Sequence, residues 1–221
     1  MREFVWLALG DSITEKSIRA EKNYHLLVKE ELGCLHVLNA GEGGTGFRHA
    51  HKTRPPFYKR IERYEDYPID FITILGGVND VMLDDGYVGI AGDSFDESYM
   101  GCLDILIKKI RKCLPKALVA IISPVPQAQY RPGSGDELDN LVNELERYAD
   151  ENGIPFLDIY HDSPLKPWER ENNRQYYSNP DAPEGDGLHP NLEGHKIMAA
   201  KITPFVGKII EELIKKQSCS L

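Results

Sequence analysis

Three short segments of this 221-residue chain carry side chains that could do nucleophilic or acid–base chemistry. The first is "GDSIT", residues 10–14, which follows the apolar run "EFVWLAL". A serine at a turn between a strand and a helix exposes its Oγ near backbone N–H groups, which suits a nucleophile. The alternative is that Ser12 only caps a helix, since serine and aspartate are common at helix starts.

The second and third segments are "GGVND", residues 76–80, and "DGLHPN", residues 186–191. Asn79 could donate its side-chain amide to an oxyanion, although Asn-Asp is also ordinary turn chemistry. Asp186 and His189 lie three residues apart, so the carboxylate can bind Nδ1 and leave Nε2 as a general base. The same pair could instead be half of a metal site or a surface turn.

A fourth segment, "NAGEGGTGFRH" at residues 39–49, contains the dinucleotide-binding pattern G-x-G-x-x-G at Gly41, Gly43 and Gly46. That pattern normally follows the first strand of a βαβ unit and opens directly into a helix with an apolar face. Here it precedes "GFRHAHKTRPPFYKR", which is polar and contains two consecutive prolines. The context therefore argues against a nucleotide site.

Five apolar runs predict the strands that must position these segments. Each run is continuous rather than alternating, as is typical of strands buried on both faces. They cover residues 3–9, 34–39, 69–75, 117–123 and 154–160. Amphipathic stretches lie between them, which predicts a three-layer α/β/α fold with a flavodoxin-like, parallel five-stranded sheet in one domain, residues 1–221. Sites in such sheets form beyond the carboxyl ends of the strands.

Helix boundaries can be predicted at several positions. One helix repeats apolar side chains at helical spacing and ends at Pro115: Leu103, Leu106, Ile107, Ile110 and Leu114. Ser134 and Glu137 have the spacing of a capping box for the next helix. Asn191 is the predicted N-cap of the last helix, which Pro204 should kink or split.

Composition excludes several classes of protein. The net charge is −9 and there is no long block of Lys or Arg, so nucleic acid is not expected as a partner. No apolar run approaches the roughly 18 residues of a membrane span. The four cysteines show no disulfide-like spacing, which indicates free thiols and a cytoplasmic location: Cys34, Cys102, Cys113 and Cys219. The oligomeric state is left open, including a homo-oligomer.

Taken in order, the first three segments resemble the SGNH hydrolases, the GDSL esterase/lipase family, which are named for Ser, Gly, Asn and His in four separated blocks. "GDSIT" is similar to the first block, with Ile13 in place of Leu, "GGVND" to the third and "DGLHP" to the fifth. The resemblance implies a serine ester hydrolase that needs no metal or organic cofactor. It further implies that Ser12 attacks the ester, His189 is the base and Asp186 orients the imidazole.

The resemblance also implies an oxyanion hole made by the backbone N–H groups of Ser12 and Gly44 and by the Asn79 side chain. In the family, the glycine of the second block follows the second strand in an "N-x-x-x-x-G" context, and Asn39 to Gly44 has that spacing. Gly43 is the alternative, because the run of glycines leaves the register open.

Four further side chains are predicted to stay outside the chemistry. Asp11 should tie the nucleophile loop through hydrogen bonds. His49 and His51 are interpreted as surface-loop histidines, since no third metal ligand lies at a telling spacing. His195 should pack or hydrogen-bond near the start of the last helix.

The substrate is a small-molecule ester whose identity depends on loops without a fixed motif: residues 81–97, 124–135 and 161–185. The last loop carries Trp168, Tyr176 and Tyr177 among polar side chains, which suits an acetyl-like ester of a small or carbohydrate alcohol. The alternative is that Trp168 only anchors the loop. A lysophospholipase or thioesterase of the same family, a non-catalytic flavodoxin-like binding module and a pseudo-enzyme remain as other functions.

Overall fold

Five parallel strands form a single sheet in the computed structural model, which describes residues 3–16, 20–93 and 97–218. The strands are β1 (Phe4–Gly10), β2 (Leu35–Gly41), β3 (Phe71–Leu75), β4 (Leu118–Ile122) and β5 (Phe156–Leu157). Their spatial order is β2-β1-β3-β4-β5. Cys219 and residues 94–96 of the 81–97 loop lie outside the described residues.

Helices cover both faces of this sheet, so the predicted parallel α/β fold is confirmed. On one face lie α2 (Phe57–Arg60), α3 (Val78–Leu83), α4 (Tyr99–Cys113) and α5 (Glu137–Glu151). On the other lie α1 (Tyr24–Leu32), α6 (Arg170–Tyr177) and α7 (Leu192–Ser218).

The central strands are continuously apolar because alternate side chains enter two different cores. In β1, Leu7 and Leu9 pack into the core under α2 to α5, whereas Trp6 and Ala8 pack into the core under α1 and α7. All four side chains are fully buried. The edge strand β2 departs from this pattern, since His36 is exposed and only its Leu35 and Ala40 positions are buried.

The fifth strand is shorter than predicted, with two residues in place of 154–160. Side-chain oxygens explain its end: Ser123 Oγ accepts the N–H groups of Ile159 and Tyr160 at 2.9 and 3.0 Å. Asp158 Oδ1 also accepts the N–H of Tyr160, at 2.8 Å. These amides are therefore bonded to side chains and do not extend the strand ladder.

One of the predicted helix features is wrong, one is found, and of the kink or split predicted at Pro204 the split does not occur. The N-cap of α5 is Asp136, which accepts the Asp139 N–H at 2.9 Å, so Ser134 and Glu137 do not form the predicted capping box. Helix α7 continues through Pro204 and is not split. Asn191 caps α7 as predicted, because its Oδ1 accepts N–H groups from the first helical turn at 3.0 and 3.2 Å.

We expect the buried imidazole of His25 to make the fold sensitive to acid. Burial lowers the pKa of His25 to about 4, against about 6.5 for an unfolded histidine. The unfolded chain therefore binds more protons between these values, and the free energy of unfolding decreases as the pH falls through that window. His25→Phe should remove up to about 1.4 kcal/mol of this loss per pH unit.

Urea unfolding of wild type and His25→Phe at several pH values between 4 and 8 measures this difference. His36→Phe is the control, because solvent reaches the His36 ring in both the folded and the unfolded chain. Identical pH slopes for wild type and His25→Phe would contradict the prediction.

Candidate active site

The residues that could take part in catalysis meet where the first three strands end. Gly10 closes β1 level with Gly41 of β2 and Leu75 of β3. Because β2 and β3 lie on opposite sides of β1, the connections diverge here and leave a crevice above the sheet. Ser12 and Asn79 follow β1 and β3 directly, and the glycine loop, residues 42–49, follows β2.

Ser12 lies in a tight turn that leaves its hydroxyl half-buried and accessible. The Asp11 carbonyl accepts the N–H groups of Thr14 and Glu15 at 3.2 and 2.9 Å, which closes the turn. A Cβ at Gly10 would lie 2.2 Å from Thr14 Oγ1, so only glycine lets the turn pack this closely on the strand end.

A chain of hydrogen bonds connects Ser12, His189 and Asp186. Ser12 Oγ lies 3.0 Å from His189 Nε2, and His189 Nδ1 lies 2.9 Å from Asp186 Oδ2. With a proton on Nδ1, the imidazole donates to the carboxylate and its Nε2 can accept the serine proton. The structure thus joins two segments that are 177 residues apart in the sequence.

Asp186 is held as a carboxylate by several donors. Its Oδ1 accepts the N–H groups of Leu188 and His189 at 2.9 and 2.8 Å, and its Oδ2 accepts Asn179 Nδ2 at 3.1 Å. Burial acts to raise the pKa of Asp186, but the hydrogen bonds from His189 and Leu188 outweigh it and leave the pKa below its usual value. The charged form that orients an imidazole is therefore favoured.

The glycine loop binds carboxylates of the protein itself. The N–H of Gly43 donates to Glu15 Oε2 at 3.0 Å. Three consecutive amides donate to the buried Asp80 carboxylate at 2.7 to 2.8 Å: those of Phe47, Arg48 and His49. A Cβ at Gly46 would lie 2.0 Å from Asp80 Oδ2, so the glycine permits this close approach. The glycines shape a loop around two carboxylates, and Asp80 is a contributor that the sequence did not reveal.

The predicted oxyanion donors differ in whether the described residues already provide them with a hydrogen-bond acceptor. Gly43 N–H is occupied by Glu15, whereas neither Ser12 N–H nor Gly44 N–H has a hydrogen-bond acceptor there. Gly44 adopts φ +76°, a conformation that favours glycine. Asn79 Nδ2 donates to the Thr45 carbonyl at 3.0 Å and has only a 3.5 Å contact with a second acceptor, Asp11 Oδ2.

Asp11 has the contacts predicted for a structural residue. It is fully buried, and its Oδ1 accepts the Ile13 N–H at 2.9 Å. Burial raises the pKa of Asp11 to about 6. Its carboxyl group thus ties the turn beneath Ser12 and lies beside Asn79.

A cavity of about 430 Å³ opens above Ser12 and His189. Ten of its twelve lining residues are glycine, polar or charged, and the two apolar ones are Leu83 and Leu188. His51, which was predicted to lie on a surface loop, lines this cavity, and so does Arg54, which no pattern in the sequence indicated. The two residues exchange backbone hydrogen bonds across a tight turn at 3.0 and 2.8 Å.

The other histidines lie away from Ser12. His49 Nδ1 lies 3.3 Å from Asp84 Oδ2. His195 is buried and accepts the Tyr24 N–H through Nδ1 at 3.2 Å, as predicted for a packing residue near the start of α7. In the part of the chain that the structure describes, no group of three or more His, Cys, Asp or Glu side chains is arranged to hold a metal ion.

The aromatic side chains of the 161–185 loop do not line the cavity, which corrects the expectation of an aromatic substrate platform. Tyr177 is fully buried and donates to the Pro126 carbonyl at 3.0 Å. Tyr176 packs against the core under α7. The Arg131 guanidinium carbon lies 5.9 Å from the centre of the Trp168 ring. This loop instead supports Asp186 through Asn179.

Comparison with protein families gives a match over residues 8–197 to the model of the GDSL-like lipase/acylhydrolase family. No curated protein matches the chain.

Within the described residues no helix is long and apolar enough to cross a membrane. Cys34 and Cys113, among the described residues, are free thiols.

Solved structures share the fold over nearly the full length of both chains. A Lactobacillus plantarum protein is 23% identical with a TM-score of 0.75, covering 94% of this chain and 98% of its own. The aryl esterase of M. smegmatis is 15% identical with a TM-score of 0.67, covering 93% and 99%. A carbohydrate esterase of family 3 from Talaromyces cellulolyticus is 17% identical with a TM-score of 0.66, covering 95% and 99%.

Proposed function

Because this chain belongs to the GDSL-like lipase/acylhydrolase family and is an ester hydrolase, we propose that it cleaves short-acyl esters through an acyl-enzyme on Ser12. The observation that carries the proposal is the hydrogen-bond chain Ser12–His189–Asp186, with distances of 3.0 and 2.9 Å. Both contacts lie within the range of a nucleophile, its base and the group that orients the base.

The proposed mechanism divides nucleophilic attack, proton transfer and oxyanion binding among these residues. Ser12 Oγ attacks the ester carbonyl while His189 Nε2 takes the hydroxyl proton, and Asp186 stabilises the imidazolium. The Ser12 and Gly44 amides and Asn79 Nδ2 bind the developing oxyanion. His189 then gives the proton to the leaving alcohol. In the second half of the reaction His189 takes a proton from water, which attacks the acyl carbon, and returns that proton to Ser12 Oγ as the carboxylic acid leaves.

The free amides support Gly44 over Gly43 as the oxyanion glycine. Gly43 N–H would have to leave the Glu15 carboxylate to reach a substrate, at the cost of a charge-assisted hydrogen bond. Gly44 N–H has no such competitor among the described residues. A binding module or a pseudo-enzyme would have no use for this arrangement of a nucleophile, a base and free donors together.

The cavity lining supports a short acyl group on a polar or carbohydrate-like alcohol. Long acyl chains bind by burying CH₂ groups against apolar walls, each worth about 0.8 kcal/mol. Among the described residues that line the cavity, only Leu83 and Leu188 offer such a surface, whereas the other walls carry hydrogen-bonding groups such as Thr53 and His51. Hydroxyl groups of an alcohol would find partners on these walls.

We expect kcat/KM to be highest for acetyl and butyryl esters in a panel of p-nitrophenyl esters from two to sixteen carbons. Acetylated sugars, an acyl thioester and a lysophospholipid complete the panel, and Ser12→Ala measures the background. Higher kcat/KM for esters of eight or more carbons than for acetyl esters would contradict the chain-length claim.

One observation favours the alternative of a long-chain substrate. Leu83, Tyr87 and Ile90 are large apolar residues with exposed fractions of 54%, 48% and 55%, and Leu83 reaches the cavity wall. An acyl chain leaving the cavity along this segment would cover them, as a lysophospholipase would require. The long-chain members of the panel decide between the two.

A further inference from the structure

The Glu15–Arg54 ion pair is built around the backbone of Gly43. Arg54 Nη1 lies 3.1 Å and Nη2 lies 3.0 Å from the two carboxylate oxygens of Glu15. The same Nη1 donates to the Gly43 carbonyl at 3.1 Å, and Glu15 Oε2 accepts the Gly43 N–H at 3.0 Å. A Cβ at Gly43 would lie 2.6 Å from Glu15 Oε2, so the backbone approaches this closely because the residue is glycine.

The contact of Arg54 with the Gly43 carbonyl also affects the orientation of the Gly44 N–H. The Gly43 C=O and the Gly44 N–H belong to one peptide group, and in a trans peptide they point in opposite directions. Holding the oxygen of this group therefore sets the direction of its N–H. A charged donor on the oxygen also polarises the peptide, which makes the N–H a stronger donor.

We propose that Glu15 and Arg54 are positioning residues for ester hydrolysis, which orient and polarise the Gly43–Gly44 peptide so that Gly44 N–H binds the oxyanion. This inference rests on the proposed function. Glu15 contributes twice, since it fixes the guanidinium by a two-point contact and keeps the Gly43 N–H turned away from the substrate. Neither residue touches the reacting atoms in this role.

The ion pair is half-exposed, with side-chain exposures of 42% for Arg54 and 29% for Glu15, so it should add little to global stability. Its effect should instead appear in the transition state, where charge develops on the substrate oxygen. A residue that acts in this way lowers kcat when it is removed and leaves KM nearly unchanged.

The first test measures kcat and KM of Arg54→Met with the best short ester. The expected loss in kcat is about 10- to 100-fold, below the 10²–10³-fold that follows removal of an oxyanion donor itself. Arg54→Lys should recover part of the loss, because an ammonium can still donate to the Gly43 carbonyl. Arg147→Met, which breaks an exposed ion pair with Glu144 on α5, is the matched control and should leave kcat unchanged.

The second test observes the peptide itself by NMR. The sequence contains two Gly-Gly pairs, Gly43–Gly44 and Gly76–Gly77, so labelling glycine with ¹³C at the carbonyl and with ¹⁵N gives HNCO signals from these two peptides alone. Arg54→Met should shift the Gly43 carbonyl and Gly44 amide resonances and leave those of the second pair in place. The Arg147→Met spectrum should match that of the wild type.

Unchanged kcat in Arg54→Met, a loss confined to KM, or an unmoved Gly43 carbonyl resonance would each overturn the inference. A wild-type protein that lacks both turnover and labelling of Ser12 would overturn the proposed function instead. In that case the NMR comparison still decides whether Arg54 holds the Gly43–Gly44 peptide.

Discussion

Ser12→Ala is expected to abolish ester turnover and covalent labelling by a fluorophosphonate probe, with a loss in kcat on the order of 10⁶. The substitution removes the only atom that can form the proposed acyl-enzyme, Ser12 Oγ, which lies 3.0 Å from His189 Nε2. Because the hydroxyl makes no hydrogen bond that the fold depends on, the thermal unfolding midpoint should stay within about 2 °C of the wild-type value.

The measurement combines initial rates with mass spectrometry of the labelled peptide. Ser134→Ala is the control, since that serine lies in the loop before α5 and its hydroxyl hydrogen-bonds with Asp136, away from Ser12. It should keep full labelling. A probe attached to any serine other than Ser12 would show that the nucleophile has been assigned wrongly.

Asn79→Ala is expected to lower kcat by about 10²–10³-fold with little change in KM, as when one oxyanion donor is lost. The Asn79 amide is held in place by its 3.0 Å hydrogen bond to the Thr45 carbonyl. Its remaining contact, at 3.5 Å from Asp11 Oδ2, is at the limit of a hydrogen bond and can be exchanged for the oxyanion. A donor that is already oriented needs no rearrangement in the transition state.

Steady-state kinetics with an acetyl ester measures this effect, and Asn140→Ala provides the control. Asn140 also donates its side-chain amide to a backbone carbonyl, that of Gly135, but on the exposed start of α5. Asn79→Asp keeps the size of the side chain and replaces the donor with an acceptor, so its loss in kcat should be at least as large. An effect confined to KM would make Asn79 a substrate-binding residue.

The identity of the strands and of the three main chemical segments could be predicted because both depend on residues close in sequence. A continuous apolar run such as "IDFITIL" predicts a buried strand wherever it occurs, and the structure has β3 within it. The segments around Ser12, Asn79 and His189 each contain several characteristic residues in a row. Their assignment as catalytic residues remains a prediction, now with a geometry that can be tested.

Two features of the fold were predicted wrongly because hydrogen-bonding groups compete, and a third because burial depends on distant residues. Ser134 and Asp136 are both good N-caps, and local spacing alone could not show that α5 begins at Glu137. The length of β5 depended on Ser123, which captures amides 36 and 37 residues away in the chain. The aromatic residues of the 161–185 loop were predicted to contact the substrate. Their packing against α7 and other elements depends on residues that are distant in the sequence, so the local pattern did not show it.

The sequence by itself determined the layered α/β fold, the family resemblance and the order of the predicted catalytic residues, since hydrophobic runs and short motifs are local. Only the tertiary structure shows that Glu15, 28 residues earlier, accepts the Gly43 N–H, whereas the Gly44 N–H has no acceptor among the described residues. The proposal of Gly44 as the oxyanion glycine depends on that difference. The tertiary structure also brought Arg54 onto the Gly43 carbonyl and the His51 ring beside Gly44. The physical reason is that the direction of a backbone N–H is set by whatever packs around its peptide group, and those partners come from distant parts of the chain.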